Sequence, residues 1–157
     1  MQNRILVLGI GNMLMGDEAI GIEVVKALDK NKLPQNIDVV DGGTGGFHLL
    51  SYLSDYKKII FVDASLDDRP GGTVSVIEPK FSSDFPKSLS AHDIGLKDLI
   101  ESASLLGDLP RMYLVIISIK KFQNLSLEIS NEILKTIPKA VEVIQQLINK
   151  INKTALA

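Results

Sequence analysis

RILVLG, residues Arg4–Gly9, is an uninterrupted apolar run that ends in a glycine. Such a run is typical of a strand that is buried on both faces of a parallel sheet. Three more segments are predicted strands of this sheet, and they are IDVVD at Ile37–Asp41, KIIFVD at Lys58–Asp63, which ends in an acid, and the fully apolar MYLVIISI at Met112–Ile119. We therefore predict a sheet whose centre is built from these four strands.

The segments between the strands have the spacing of amphipathic helices. From Asp17 to about Lys30, the residues Ile20, Val24 and Leu28 fall on one helical face. Further helices are predicted at Phe47–Leu53, at 96–106 with Leu96, Leu99, Ile100, Ala103 and Leu106 inward, and over Ser126–Ile151 with Ala140, Ile144, Leu147 and Ile151 on one stripe. Pro138 is expected either to kink the last helix or to start a second segment.

Thr73–Glu78 reads TVSVIE, an alternation that predicts a half-exposed strand. The loop before it holds only about ten residues, which is too short for a crossover helix, so the strand is expected to run antiparallel at a sheet edge. The whole chain, residues 1–157, is thus predicted to form one domain. Its fold class is a three-layer α/β/α sandwich with a five-stranded, mostly parallel sheet and one antiparallel edge strand.

The composition excludes several classes of protein. The 157 residues are 45% hydrophobic and 23% charged, with a net charge of −2, which gives no reason to expect binding to nucleic acid or to an anionic membrane. No apolar run is long enough for a membrane span, so no membrane insertion is expected. Cysteine is absent, which excludes disulfides, thiolate metal sites and a cysteine nucleophile, and fits a cytoplasmic location.

Acidic side chains follow three of the predicted strands. Asp17 and Glu18 come after the first strand, Asp41 ends the second and Asp63 ends the third. Ligands of open α/β sheets bind beyond the carboxyl ends of the strands, where the strand order reverses. With His92, from the loop before the helix at 96–106, these acids form a set of oxygen and imidazole donors that suits nickel or zinc.

Each of these residues also has a purely structural interpretation. Glu18 can be an acid favoured by the dipole in the first turn of a helix, Asp17 its N-cap, and Asp63 a turn-forming strand terminator. His92 can cap a helix or bond a loop carbonyl. Because neighbouring side chains of a helix point in different directions, Asp17 and Glu18 cannot both face the strand ends. We predict that Glu18 faces them and that Asp17 serves the N-terminus of its own helix.

The glycines do not indicate a nucleotide cofactor. Gly9-Ile10-Gly11 follows a strand, but Leu14 stands where a dinucleotide-binding fingerprint requires its third glycine, and no lysine of a P-loop is present. The second glycine-rich segment, Gly42–Gly46, is either a tight turn or a place where a substrate backbone approaches closely.

Familiar proteolytic mechanisms also find no support. The chain has no cysteine and no HExxH motif, and its two histidines are His48 and His92. No G-x-S-x-G elbow accompanies them, so a serine triad is not indicated.

Four motifs together resemble one known family, the hydrogenase maturation endopeptidases. They are GIGNMLMGDEAIGIEVVKAL at Gly9–Leu28, VVDGGTGG at Val39–Gly46, IIFVDA at Ile59–Ala64 and SAHDIGL at Ser90–Leu96, in the family's order and spacing. The tail at Leu125–Ile144 looks similar too, so the resemblance covers nearly the whole chain.

The resemblance implies an endopeptidase that removes the C-terminal extension of a nickel–iron hydrogenase large-subunit precursor after nickel insertion. The family's metal contacts match Glu18, Asp63 and His92, and the nickel is supplied by the precursor. The family's substrate-contacting loop matches Asp41, Gly42, Gly43, Thr44 and Gly45. Asp41, Glu18 and Asp63 are the candidates for the catalytic group.

One segment departs from the family. Many members carry a glycine and a Glu/Pro-containing loop after the fifth strand, whereas this chain has SIKKFQN at Ser118–Asn124, which puts in doubt which isoenzyme it serves. The main alternative function is a receiver-like phosphoacceptor domain, with Asp63 as acceptor and Lys120 as the lysine after the fifth strand. A dinucleotide-binding oxidoreductase and a metal-delivery protein without hydrolytic activity are further alternatives.

Overall fold

The computed structural model describes residues 3–89, 96–120 and 125–156, and within them five strands form one sheet. The strands are β1 (Ile5–Gly9), β2 (Ile37–Asp41), β3 (Lys58–Ser65), β4 (Val74–Ile77) and β5 (Arg111–Ser118). The α-helices are α1 (Ile20–Ala27), α2 (Leu50–Asp55), α3 (Leu96–Leu106), α4 (Asn131–Leu134) and α5 (Ile137–Leu156). Short 3₁₀ turns occupy Gly16–Ala19, Lys30–Lys32, Phe47–Leu49 and Ser82–Asp84.

The strand order is β2-β1-β3-β5-β4. β1 pairs in parallel with β2 and with β3, β3 pairs in parallel with β5, and β4 lies antiparallel to β5 at the edge. This arrangement confirms the predicted mostly parallel sheet with one antiparallel edge strand.

Apolar cores lie on both faces of the sheet, because alternate residues of a strand point to opposite sides. Val7 and Val62 pack on one face with residues of α1 and α5, whereas Leu8 and Phe61 pack on the other face with residues of α2 and α3. Burial of these side chains from water is the main force that holds the helices to the sheet. The structure therefore has the three layers that the sequence predicted.

The order of the strands creates a crevice between β1 and β3. From β1 the chain passes through α1 to β2 at one edge of the sheet, and it then returns through α2 on the opposite face to β3. Ligands of open α/β sheets bind beyond the carboxyl ends of the strands at such a point. The 3₁₀ turn that follows β1 and carries Asp17 and Glu18 packs against β3 at this point.

Some predicted boundaries are wrong. The helix expected from Asp17 to about Lys30 is a 3₁₀ turn followed by α1, and it ends at Ala27. The tail is helical only from Asn131, and it is divided, with Pro138 in the first turn of α5, so the prediction of a second segment is confirmed. Leu106, expected to face inward, is 78% exposed at the end of α3. None of the helices in the described ranges is long and apolar enough to cross a membrane.

Candidate functional site

Asp63 lies in the crevice between β1 and β3. Asp63 was predicted to end β3, but the strand continues for two more residues. β5 is equally long and pairs with β3 as far as Ser65 with Ser118. β1, in contrast, pairs with β3 only as far as Val62. Asp63 is completely buried, and its Oδ1 accepts a hydrogen bond of 2.8 Å from the backbone N–H of Ala64. Its carboxylate thus originates inside the sheet, where β1 has just ended.

Beyond the end of β1, a second segment pairs with the same edge of β3. Leu89 forms an antiparallel bridge with Ser65, and the backbone N–H of Leu66 donates to the carbonyl oxygen of Ser88 at 2.9 Å. The Oγ atoms of Ser65 and Ser88 are 2.7 Å apart. Since β5 occupies the other edge of β3, Ser88 and Leu89 lie beyond the end of β1. Asp63 is therefore flanked by the end of β1 and by this segment.

Glu18 lies in the 3₁₀ turn Gly16–Ala19, which packs against β3. Its side chain is only 2% exposed. The loop before the turn is held to β3 by a hydrogen bond of 2.9 Å from the backbone N–H of Ile10 to the carbonyl oxygen of Val62. Gly21 permits the close approach, since a Cβ there would overlap the carbonyl oxygens of Ile10 and Val62. The structure thus brings the segments of Glu18 and Asp63 together.

Asp17 does not cap its own helix, which corrects the prediction. The residue before the 3₁₀ turn is Met15, and the carboxylate of Asp17 points instead to the segment that follows β5. Its Oδ1 accepts the backbone N–H of Ser130 at 2.7 Å, and its Oδ2 accepts the hydroxyl of Ser130 at 3.0 Å. Because Ser130 is the N-cap residue of α4, Asp17 serves the N-terminus of a helix that is distant in the sequence.

Asp41 and the glycine loop lie beside the same crevice. Asp41 ends β2 and is exposed, and its Oδ1 accepts the backbone N–H of Gly43 at 2.9 Å, which fixes the turn. The loop is tied to the end of β1 because Gly42 donates to the carbonyl oxygen of Gly9 at 2.7 Å and Gly11 donates to that of Gly43 at 2.9 Å. Gly43 has a φ of 62°, which favours glycine.

The predicted metal ligands are only partly described. Glu18 and Asp63 lie on adjacent segments, but His92 lies outside the described residues. Within residues 3–89, 96–120 and 125–156, no three Asp, Glu or His side chains are grouped closely enough to hold a metal ion. Neither Asp17 nor Asp41 therefore completes a three-residue site with Glu18 and Asp63. The other histidine, His48, is exposed in the 3₁₀ turn that follows the glycine loop.

A cavity of about 390 Å³ lies far from this crevice. It is lined by Lys58 and Arg111, the first residues of β3 and β5, and by Ile77, the last residue of the antiparallel strand β4. These positions mark the opposite ends of the parallel strands. The cavity does not contain Glu18, Asp63 or Asp41, so its size does not make it the candidate site.

The donor chemistry of the crevice suits a cation. Glu18 and Asp63 are both almost fully buried, and their segments adjoin at this crevice. Carboxylate oxygens together with an imidazole are donors that nickel and zinc accept. The two described candidates, Glu18 and Asp63, therefore carry donor atoms of the kind that a divalent ion accepts.

Comparison with known proteins agrees with the fold and identifies the family. A sequence profile described as "Hydrogenase maturation protease" matches residues 22–147. This chain belongs to the hydrogenase maturation protease family. It is 36% identical over 111 residues to the Hydrogenase 2 maturation protease of Escherichia coli, an alignment that covers 69% of this chain and 68% of that protein. A putative hydrogenase maturation protease of Methanocaldococcus jannaschii is 36% identical over 155 residues, covering 93% and 97% of the two chains.

Solved structures of hydrogenase maturation proteases have the same fold. The hydrogenase maturating endopeptidase HybD from E. coli superposes with a TM-score of 0.81 at 30% identity, over 94% of this chain and 93% of that one. The [NiFe] hydrogenase maturation protease HybD from Thermococcus kodakarensis gives 0.75 at 26% identity, over 92% and 99%. The prediction of a peptidase is confirmed, and the receiver, oxidoreductase and metal-delivery alternatives lose their support.

The sequence did not reveal Ser130, the residue of this protease that donates hydrogen bonds to the carboxylate of Asp17. The available indication was local, because a serine just before the helical pattern of Asn131–Leu134 is a common N-cap. Nothing in the sequence connected that serine with an acid 113 residues earlier.

Proposed function

We propose that this chain is an endopeptidase that removes the C-terminal extension of a nickel–iron hydrogenase large-subunit precursor, and that it recognises the nickel already inserted in that precursor. The observation that carries the proposal is the placement of two buried carboxylates, Glu18 and Asp63, on adjacent segments at the carboxyl ends of β1 and β3. The name of the Thermococcus kodakarensis relative specifies [NiFe] hydrogenase, which supports nickel as the ion.

His92 is proposed as the third contact to the nickel of the substrate. It follows Leu89, which is bridged to the end of β3, by three residues, and it precedes Leu96 by four. Leu96 is buried in the core on the face of the sheet that carries Phe61, and Asp63 alternates onto that same face. Three extended residues reach no more than about 11 Å, so chain connectivity supports a position for His92 near Asp63.

The glycine loop is proposed to hold the peptide that is cut. Asp41 is the last residue of β2, the glycine loop Gly42–Gly45 follows it directly, and Thr44 is exposed. Because glycines have no side chains, a substrate backbone can approach the loop closely. Nickel held at Glu18, Asp63 and His92 would then fix the precursor with its extension beside the loop, so less entropy is lost when the bond is attacked.

The group that activates water is proposed to be one of three acids. Asp41 is exposed at the base of the glycine loop, whereas Glu18 and Asp63 are buried and are also proposed to contact the nickel. An acid that holds the ion is less available to accept a proton from water. Asp41 is therefore the candidate to test first, by comparing kcat of the wild-type protein with kcat of Asp41→Asn.

The test is to mix the protein with precursor that contains nickel or lacks it, and to follow release of the C-terminal peptide by mass spectrometry. We expect cleavage of the loaded precursor, no cleavage of the metal-free precursor at saturating enzyme, and recovery after nickel insertion. Efficient cleavage of metal-free precursor would contradict nickel recognition and leave the peptidase function intact. If neither form of precursor were cut, the proposed function itself would be wrong.

A matched control is available near the opposite end of the strands. Asp38 is a carboxylate with several hydrogen-bond partners near the start of β2, far from the crevice. Asp38→Asn should leave processing at the wild-type rate at a temperature where the variant is folded.

A further inference from the structure

Asp17 is a buried acid that the proposed nickel contacts do not use. It directly precedes Glu18 and is 7% exposed. Both of its carboxylate oxygens accept hydrogen bonds from Ser130, one from the backbone N–H at 2.7 Å and one from the hydroxyl at 3.0 Å. Hydrogen bonds to an ionised acceptor are stronger than neutral ones, so this is a firm link between distant parts of the chain.

The segment Leu125–Ser130, which we name the tail strap, is linked to the same loop a second time. The backbone N–H of Ser126 donates to the carbonyl oxygen of Leu14 at 2.8 Å, and the N–H of Gly16 donates to the carbonyl oxygen of Ser126 at 2.9 Å. The loop from Leu14 to Asp17 is thus bonded to the tail strap at both of its ends. Glu18 is the next residue after this loop.

Within the 3₁₀ turn Gly16–Ala19, successive side chains differ in direction by about 120°. Fixing the carboxylate of Asp17 on the tail strap therefore also fixes the direction of Glu18. The backbone of Glu18 has its own restraints, because its N–H donates to the carbonyl oxygen of Met15 at 3.2 Å and its carbonyl oxygen accepts the N–H of Asn12 at 3.3 Å. These bonds are longer than the two that Asp17 makes.

We propose that Asp17 is a positioning residue, and that its bonds to Ser130 hold Glu18 in the direction required to contact the nickel of the precursor. The proposal rests on the proposed function for the identity of that substrate. Partners that orient a metal ligand change affinity by roughly 10-fold to 100-fold when they are removed. The tail strap is thereby a part of the recognition site, although it lies more than a hundred residues from Glu18 in the sequence.

Three variants test separately the acceptors on Asp17 and the donors on Ser130. Asp17→Ala removes both acceptors, whereas Asp17→Asn keeps an oxygen that accepts the N–H of Ser130. Ser130→Pro removes both donors and leaves Asp17 and Glu18 unchanged, and the φ of −61° at Ser130 lies in the range that proline adopts. Asp38→Ala serves as the matched control, because it also removes a hydrogen-bonded carboxylate but lies near the opposite end of the strands.

Two measurements test the proposal, namely Ni²⁺ binding by the protein alone in titration calorimetry, and kcat and KM with nickel-loaded precursor. We expect Asp17→Ala and Ser130→Pro to weaken Ni²⁺ binding by about 10-fold and to raise KM by a similar factor, while kcat changes by less than about twofold. Asp17→Asn should recover most of the loss. Asp38→Ala should reduce thermal stability and leave Ni²⁺ affinity and KM unchanged.

The outcomes distinguish this proposal from the proposed function. Wild-type Ni²⁺ affinity and KM in a folded Asp17→Ala protein would overturn the positioning role, and the bond to Ser130 would then only stabilise the fold. An equal change in Asp38→Ala would overturn it too. A wild-type protein that binds Ni²⁺ without cutting the precursor would contradict the proposed function alone, and one that neither binds nor cuts would contradict both.

Discussion

Tyr56 donates its phenolic hydrogen to Oδ2 of Asp38 at 2.7 Å, and Arg4 binds both oxygens of the same carboxylate at 2.7 and 2.6 Å. The three residues link the entry to β1, the start of β2 and the end of α2. The bond from Arg4, helped by that from Tyr56, lowers the pKa of Asp38 from 3.8 to about 2. Burial, followed by the hydrogen bond to Asp38, raises the pKa of Tyr56 to about 12.

The lowered pKa of Asp38 predicts a loss of stability in acid. Because the folded state holds this proton less tightly than the unfolded chain, the contribution is complete above pH 3.8 and is lost as the pH falls through about 2. Asp38→Asn should lower the free energy of unfolding at neutral pH by on the order of 1–2 kcal/mol, allowing for solvent screening of a partly exposed pair. Urea unfolding of both proteins between pH 2 and 7 should show this difference shrinking below pH 4. Tyr56→Phe should keep most of the pH dependence, since Arg4 is the larger cause.

Gly11 is expected to be essential for the position of Glu18. A Cβ at Gly11 would lie 2.5 Å from the carbonyl oxygen of Glu18, so backbone must move to admit it. Gly11→Ala should reduce stability by about 1–3 kcal/mol, as overpacked substitutions do, and should also slow processing of the precursor. Gly107→Ala is the control, because nothing lies within 4 Å of a Cβ there. Full activity of Gly11→Ala would show that processing tolerates movement of the Glu18 backbone.

Glu18→Gln should stop nickel-dependent processing and leave the fold unchanged. Glutamine has nearly the same shape but lacks the negative charge, and Glu18 is only 2% exposed, so loss of charge at the ion dominates the effect. Peptide release from loaded precursor and the circular dichroism spectrum measure the two effects separately. By comparison, Asp17→Asn should mainly lower stability. If Asp17→Asn stopped processing and Glu18→Gln did not, the two assignments would have to be exchanged.

His92→Ala is expected to abolish cleavage of the loaded precursor. The prediction follows from the donor set, because removal of one of three proposed contacts leaves only two carboxylates for the nickel. His48→Ala, in the exposed 3₁₀ turn after the glycine loop, is the control for loss of an imidazole. Full activity of His92→Ala would contradict both the proposed three-residue contact and the recognition of nickel that depends on it.

The sheet was predictable because its strands are defined by local sequence. Residues Ile37–Asp41 form β2 with the predicted bounds, since β-branched residues favour a strand and glycines follow it. The antiparallel edge position of β4 was predicted because the loop before it is too short for a crossover helix. The end of β3 was not predictable, because its last two residues extend the strand by pairing with Ile117 and Ser118 of β5, which are distant in the sequence.

The neighbouring placement of the segments that carry Glu18 and Asp63 was predictable, but the contacts of Asp17 were not. Glu18 and Asp63 stand where strand order and acidic chemistry indicate, and the structure brings their segments together. The predicted role of Asp17 was wrong. An aspartate at the start of a helix is typical of an N-cap, whereas the partner of Asp17 in the structure is Ser130. Such a partner is set by tertiary packing, which no local pattern contains.

The link between Asp17 and Ser130 also has a consequence for the order in which the protein folds. The acid leaves the ribosome early, but the serine emerges 113 residues later. Contacts between such distant residues form slowly, because the entropy cost of closing the long loop comes before the free energy gained from the bonds. β1, β2 and β3 can pair before that time, since all three are complete by Ser65. Nascent chains are therefore expected to hold a formed half-sheet in which Glu18 lacks the restraint from the tail strap. Full competence to process a precursor should arise only when the C-terminal segment has docked.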